Sequence, residues 1–184
     1  MSKTKKKPNT RERIIAQAGR LTKQQGFGTV GVDALMAAAD MQGGSFYYHF
    51  PKKEALLSAI ITAEVQQSRQ WLTRNGAASK EKLLHHLLQY VSENHVLHPE
   101  DGCVIPSLSN EVARANDDTR TAYAKAVQAF SEDVAHILGE ESWPVIAMCV
   151  GAVTMARAMP KGEARDAILA QCAEQLAEIF AKKE

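Results

Sequence analysis

Cysteine is scarce in this chain: three among 184 residues, Cys103, Cys149 and Cys172. Odd in number and far apart, they provide neither a disulfide framework nor a CxxC metal site. Long apolar runs are missing too. No stretch approaches the roughly 18 residues of a membrane span, and no apolar segment follows the basic N-terminus, so a cytoplasmic protein without a membrane partner is expected. Net charge is small, at +1. Catalytic signatures are also absent: there is no nucleophile elbow, phosphate loop, zinc motif or plausible pair of carboxylates, and Ser107 and Ser109 have no convincing His or Asp partners. Neither an enzyme nor a cofactor is expected.

What is present is ordinary in amount but uneven in placement. A hydrophobic share of 45% and a charged share of 23% suit a soluble globular protein of one or two domains. Residues 1–60 hold ten Lys/Arg (Lys3, Lys5, Lys6, Lys7, Arg11, Arg13, Arg20, Lys23, Lys52, Lys53) against four acids (Glu12, Asp33, Asp40, Glu54). The remainder reverses the balance, with twelve basic against seventeen acidic residues. A basic N-terminal third on an acidic body is the electrostatic footprint of a nucleic-acid-binding head.

Residues 1–8 read as a basic flexible arm. Asn9 suits a helix N-cap, with Glu12 completing a capping box. The first helix should run to about Gln25, burying Ile14, Ile15, Ala18 and Leu21, and should end at Gly26 as a left-handed cap. Phe27 then turns into the small core. Val32, Leu35, Met36 and Ala39 form the inner face of a second helix, which Ala37 and Ala38 keep slim. Asp40 occupies the turn, because Asp tolerates a left-handed backbone better than most residues. A third helix is expected from about Gln42 to Tyr48, with Phe46 and Phe50 facing the core. Gly43 and Gly44 each cost such a helix about 1 kcal/mol against Ala, which points to something approaching the backbone closely, such as DNA. Two short helices joined by about three residues fit a helix-turn-helix, whose second helix lies in the major groove.

Three segments then combine into a longer pattern: Gly26-Phe27 ending a helix, VGVDALMAAAD (30–40), and GGSFYYHFPKKEALLSAII (43–61). The block Phe46-Tyr47-Tyr48-His49-Phe50 followed by Lys53 and Leu56 is its most specific part. From Arg13 to about Ile61 the chain resembles the DNA-binding domain of tetracycline-repressor-like (TetR/AcrR) regulators. The resemblance implies that Gln42, Gly43, Gly44 and Ser45 open the groove-facing helix, where Gln and Ser are able to bond base edges or phosphates. It places Tyr47, Tyr48 and His49 as further contacts and Lys53 on a backbone phosphate; Thr29 and Gly31, before the second helix, are counted with them. Asp40 stands where the family usually has Gly, and Gly43 where it often has a polar or basic side chain.

The body should be wholly helical. Pro51 suits a helix start; a long helix is expected from Lys52 to about Arg74, punctuation at Asn75-Gly76, and another helix from Lys80 to about His95. His85, His86, His95 and His98 lack a ligand cluster, so surface or cap histidines and no metal are expected. Pro99 and Gly102 make a turn, Pro106 reopens a helix, and Thr119–Leu138 forms the next. Gly102-Cys103, the apolar stretch after it and Glu111-Val112-Ala113-Arg114 resemble one TetR/AcrR subfamily, as does GAVTMARAM (151–159). Cys103 is read as a buried, inert thiol beside a pocket; the alternative is a thiol that senses oxidants or electrophiles. Trp71, Tyr90, Cys103, Ile105, Leu108, Tyr123, Val127, Phe130, Met148 and Met155 are the candidate lining of a cavity for a small apolar or amphipathic effector.

Helices over Trp143–Met159 and Glu163–Ala181 are apolar on more than one face and must be covered. The resemblance implies a homodimer through a four-helix bundle, with Val150, Val153, Met155, Ile168, Cys172, Leu176 and Ile179 at the interface. A twofold dimer presents two recognition helices to a palindromic operator on double-stranded DNA. The expectation is therefore an all-α chain of about nine helices: a helix-turn-helix domain at 1–50 and an effector-binding, dimerising domain at 51–184. The function expected is a ligand-responsive repressor; the alternatives are a Cys103 redox sensor or a DNA-binding dimer with no ligand.

Overall fold

The computed structural model describes residues 9–73 and 79–182, and every regular element in them is helical. The arm at 1–8 and the punctuation at Asn75-Gly76 lie outside the described residues. Helix α1 (Thr10–Gln25) begins with the expected capping box: the Asn9 side chain accepts from the Glu12 N–H and the Glu12 carboxylate from the Asn9 N–H, both at 2.9 Å. Its end differs slightly from expectation. Gly26 has the positive φ of 85° that favours glycine, but its ψ of 140° is extended rather than left-handed helical. Ile14, Ile15 and Ala18 are buried as expected, whereas Leu21 is half-buried and Thr22 and Lys23 take the inner position instead.

Helix α2 (Val32–Ala37) stops two residues before Ala39, and the chain turns through Asp40, the one described non-glycine residue with positive φ (58°). The expected helix from Gln42 is replaced by a 3-10 turn, Gly43–Ser45, running into a single α-helical turn, α3 (Phe46–His49). The two glycines explain the change, since they favour the α-helix poorly. The Ser45 hydroxyl closes the tighter turn by donating to the Gln42 carbonyl at 2.8 Å.

The body comprises α4 (Lys53–Thr73), α5 (Lys80–Tyr90), α6 (Glu93–Leu97), α7 (Val104–Val112), α8 (Asp117–Leu138), α9 (Ser142–Arg157) and α10 (Glu163–Ala181). The single helix expected over Lys80–His95 is broken at Val91. Ser92 there starts α6, its hydroxyl accepting from the His95 N–H at 3.4 Å. Pro106 sits in the first turn of α7, where a missing N–H costs no helical bond. The stretch 117–157 is long and apolar enough to cross a membrane by composition. A 3-10 turn at Gly139–Glu141 interrupts it, and α9 buries Val145, Ile146, Cys149 and Val153 as a core helix does.

Two apolar cores hold these helices. One contains Ile14, Leu35, Phe46 and Phe50 together with Leu56, Ile60, Ile61, Val104 and Leu108. Head and body thus share a core across residue 50, so they move against each other only by repacking it. Burying each such side chain contributes about 1.5–3 kcal/mol. The other core joins α5, α8, α9 and α10 around Leu83, Val134, Leu138, Val145 and Leu176.

Candidate nucleic-acid interface and effector cavity

The recognition element is built on two buried aromatics. Phe46 and Phe50 are fully buried with ring centroids 5.7 Å apart, and Phe46 meets the Tyr47 ring edge-on at 5.3 Å. One α-helical turn anchored in this way turns the intervening side chains outward. Tyr47 is 71% and Tyr48 89% exposed, unusual for large aromatics in a folded domain. The Tyr48 and His49 rings meet edge-on at 5.1 Å. Gln42 and Gly44 are exposed beside them.

Other predicted contacts already have partners. The Thr29 hydroxyl donates to the last carbonyls of α1, at 2.5 Å to Gln25 and 3.0 Å to Gly26. Lys53 Nζ donates to the Phe27 carbonyl at 2.7 Å and lies 4.6 Å from the Phe27 ring centroid, which leaves further ammonium protons for an anion. Gly31 is the exposed N-cap of α2. The two recognition glycines serve different ends. A Cβ on Gly43 would overlap the Asp33 carboxylate and force that exposed side chain to move; Gly44 has nothing within 4 Å and is the position open to an outside surface.

The basic excess of the head is partly consumed by the body. Lys23 Nζ, with a side chain only 3% exposed, donates to Glu64 of α4 at 2.7 Å and to the Gly102 carbonyl at 2.9 Å. Arg20 pairs with Asp101. Glu111 of α7 reaches the other end of α1, accepting from the Gly28 N–H at 3.0 Å. These ties were invisible in the sequence because each joins residues more than forty positions apart. The one available signal was the spacing Ala16, Arg20, Lys23, which puts two cations on one face of α1.

Between α1, α4, α5 and the loop 98–103 lies a cavity of about 650 Å³. Of the predicted lining residues, Tyr90, Cys103 and Phe130 border it. Ile105, Leu108 and Val127 are instead buried in the first core. Tyr123 packs against that core, its hydroxyl 2.7 Å from Ser109 Oγ. Met148 packs against the second core, Met155 is 54% exposed, and the Trp71 side chain lies outside the described residues. The cavity is more polar than expected, with Arg20, Lys23, Glu64, Asn94 and His95 in its walls.

His95 organises the loop beside it. Its Nδ1 lies 2.6 Å from the Tyr90 carbonyl and its Nε2 accepts the Cys103 N–H at 3.0 Å, an arrangement that uses the neutral ring. Burial, followed by the nearby cations Arg157 and Lys23, lowers its pKa against the opposing effect of the Tyr90 carbonyl. A Cβ at position 102 would collide with the His95 ring, which gives Gly102-Cys103 a local physical cause. The surface or cap role expected of the histidines fails for His95: it is a half-buried link between the Tyr90 carbonyl and the Cys103 N–H. Among the described residues no three His, Cys, Asp or Glu side chains form a metal-holding group. Cys103 caps α7, its Sγ 3.4 Å from the Ile105 N–H, but burial outweighs that bond and pushes the thiol up.

The predicted dimer residues divide. Val153, Cys172 and Leu176 are buried within the protomer, where the Cys149 and Cys172 thiols meet between α9 and α10. Val150, Ile168 and Ile179 are half-buried. The outer face of α9 is formed by Ala147, Gly151, Thr154, Met155 and Ala158, an apolar, small-residue strip at helical spacing.

Residues 14–60 match the family of bacterial regulatory proteins, tetR family. The HTH-type transcriptional repressor NemR of Escherichia coli K12 is 29% identical over 124 residues, which are 65% of this chain and 62% of that protein; the chain thus spans less than two thirds of its length. Among solved structures, E. coli NemR in reduced form has a TM-score of 0.71 at 23% identity, covering 93% of this chain and 97% of that one. A transcriptional regulator from Saccharomonospora viridis in complex with choline has a TM-score of 0.70 at 17% identity, covering 94% and 96%. These likenesses give the chain the all-helical fold of those regulators, and its residues 14–60 are similar to the tetR-family segment.

Proposed function

We propose that this chain is a TetR-family transcriptional repressor that binds a palindromic operator as a homodimer and is released by a small molecule. The observation that carries this reading is the recognition turn: Tyr47 and Tyr48 held outward by buried Phe46 and Phe50, next to exposed Gln42 and Gly44, within the segment that matches the tetR family. Among the described residues the two tyrosines make only ring contacts, with Phe46 and His49, and no hydrogen bond of their hydroxyls is seen; a phosphate backbone and base edges would use them. The outer strip of α9 supplies an apolar surface for a second copy, which would set two heads at a fixed spacing along one face of a duplex. The cavity supports an effector, because its walls include α1 of the head and the loop tied to it. An effector that binds better when these ties are rearranged shifts the dimer away from the DNA-competent state; equal affinity for both states would shift nothing.

The test is a gel shift with DNA from upstream of the protein's own gene and other promoters, at physiological salt. A specific complex lost in Tyr48→Ala, with unchanged melting temperature and dimer mass, supports the reading. A complex formed equally well by Tyr48→Ala counts against the recognition turn. The thiol-sensing alternative through Cys103 would act on a half-buried thiol that borders the cavity and that burial pushes up rather than activates.

A further inference from the structure

Both fixed cations lining the cavity are paired with carboxylates, and this restricts what it can hold. Lys23 is paired with Glu64 at 2.7 Å in the deep wall, with side chains 3% and 17% exposed. Arg20 is paired with Asp101; Glu100 Oε1 lies 3.7 Å from His98 Nδ1, an ion pair only when that ring is protonated, and the Arg20 and Arg157 cations act on the same carboxylate. An anionic ligand would meet Lys23 already neutralised; a cationic ligand would meet Glu64 already neutralised. Either would surrender its hydration without gaining a counter-charge, or would have to break a buried ion pair. The rest of the lining suits a different partner. The Phe130 and Tyr90 rings, Leu83 and Leu87 give apolar surface, and Gln67 and Asn94 offer amide groups. The buried Tyr90 hydroxyl has no oxygen or nitrogen partner and stands beside the Cys103 thiol.

We infer that the cavity selects an uncharged, amphipathic molecule: a flat apolar body carrying a neutral oxygen acceptor, such as an amide or ketone, within reach of the Tyr90 hydroxyl. This rests on the effector reading above and narrows it to a chemical class. A volume of about 650 Å³ falls within the usual range for drug-sized ligands. Because Lys23 and Arg20 belong to α1, the ligand touches the DNA-binding head directly.

The experiment uses three molecules of nearly equal shape at pH 7.5: indole-3-acetamide, which is neutral, indole-3-acetate, which is anionic, and tryptamine, which is cationic. Their affinities for the full-length protein are measured by calorimetry. Indole-3-acetamide is expected to bind at least tenfold more tightly than either charged analogue, and Tyr90→Phe to weaken it severalfold. Glu64→Gln unpairs Lys23 and should raise the affinity of indole-3-acetate at least tenfold, which also places the binding site at this wall. Preference of the wild type for either charged probe overturns the neutral-ligand assignment while the effector reading stands. Binding that ignores Glu64→Gln overturns the assignment of the ligand to this cavity. Absence of binding by all three, in protein that still shifts DNA, overturns the assignment of this ligand class, whereas the effector reading falls only if no compound releases the DNA complex.

Discussion

Lys23→Met tests the tie between head and body most directly. Lys23 leaves α1 with its ammonium almost wholly buried and joins Glu64 of α4 and the carbonyl of Gly102. Replacing it with Met keeps the apolar stem and most of the volume but leaves Glu64 without its cation. Breaking a buried pair by removing one partner costs about 3–5 kcal/mol. Glu64 is 17% exposed, so water recovers part of that cost and about 2–3 kcal/mol is the appropriate figure. For a chain of this size each kcal/mol shifts the melting temperature by about 2–4 °C, which gives a drop of roughly 5–10 °C. The Lys23→Met/Glu64→Leu double variant removes both charges and should recover most of the loss, because the pair itself adds little over a well-packed apolar contact. Thermal unfolding of the wild type, both single variants and the double, at one fixed protein concentration, forms a complete mutant cycle. A neutral Lys23→Met, or a double variant less stable than either single one, would refute the reasoning.

The remaining predictions use the same geometry. His95 is held neutral with its pKa lowered chiefly by burial; the unfolded chain therefore binds the proton more readily, and its contribution to stability is full above about pH 6.5 and lost as pH falls toward its folded value. Urea midpoints measured from pH 7.5 to 5 should fall in the wild type and flatten in His95→Gln; equal slopes would exclude His95 as the source. Glu111→Ala removes the acceptor from the Gly28 N–H and should cost about 1 kcal/mol by chemical denaturation, with faster amide exchange at Gly28; unchanged exchange would mean that the bond contributes nothing. Gly43→Ala drives a Cβ into the Asp33 carboxylate and should weaken operator binding at least tenfold in a gel shift, with partial rescue by Asp33→Ala; a fully active Gly43→Ala would show that the turn tolerates a side chain. Operator affinity should fall steeply with salt, in proportion to the phosphates contacted; a salt-independent complex would argue against backbone contacts by the head.

Much of this protein was determined locally. The Asn9–Glu12 capping box, the positive φ at Asp40, the core roles of Phe46 and Phe50 and the end of α10 at Ala181 depend on residues within a few positions of one another, so composition and spacing were enough to locate them. Local reading also went astray where local forces were nearly balanced: the two glycines turned an expected helix into a 3-10 turn, and Ser92 divided one helix into two. The proposed function class rests on the same short-range pattern, because a helix-turn-helix is written within one continuous stretch. The cavity was not. Its apolar candidates Ile105, Leu108 and Val127 went to the core, while Arg20 and Lys23, counted in the basic charge of the N-terminal third, became its walls. Helical spacing tells that a face is apolar, but not whether it is filled by a neighbour or left open. Whether a cation faces solvent or a carboxylate forty residues away depends on how α1, α4 and the loop at 98–103 meet, and only the tertiary packing decides that.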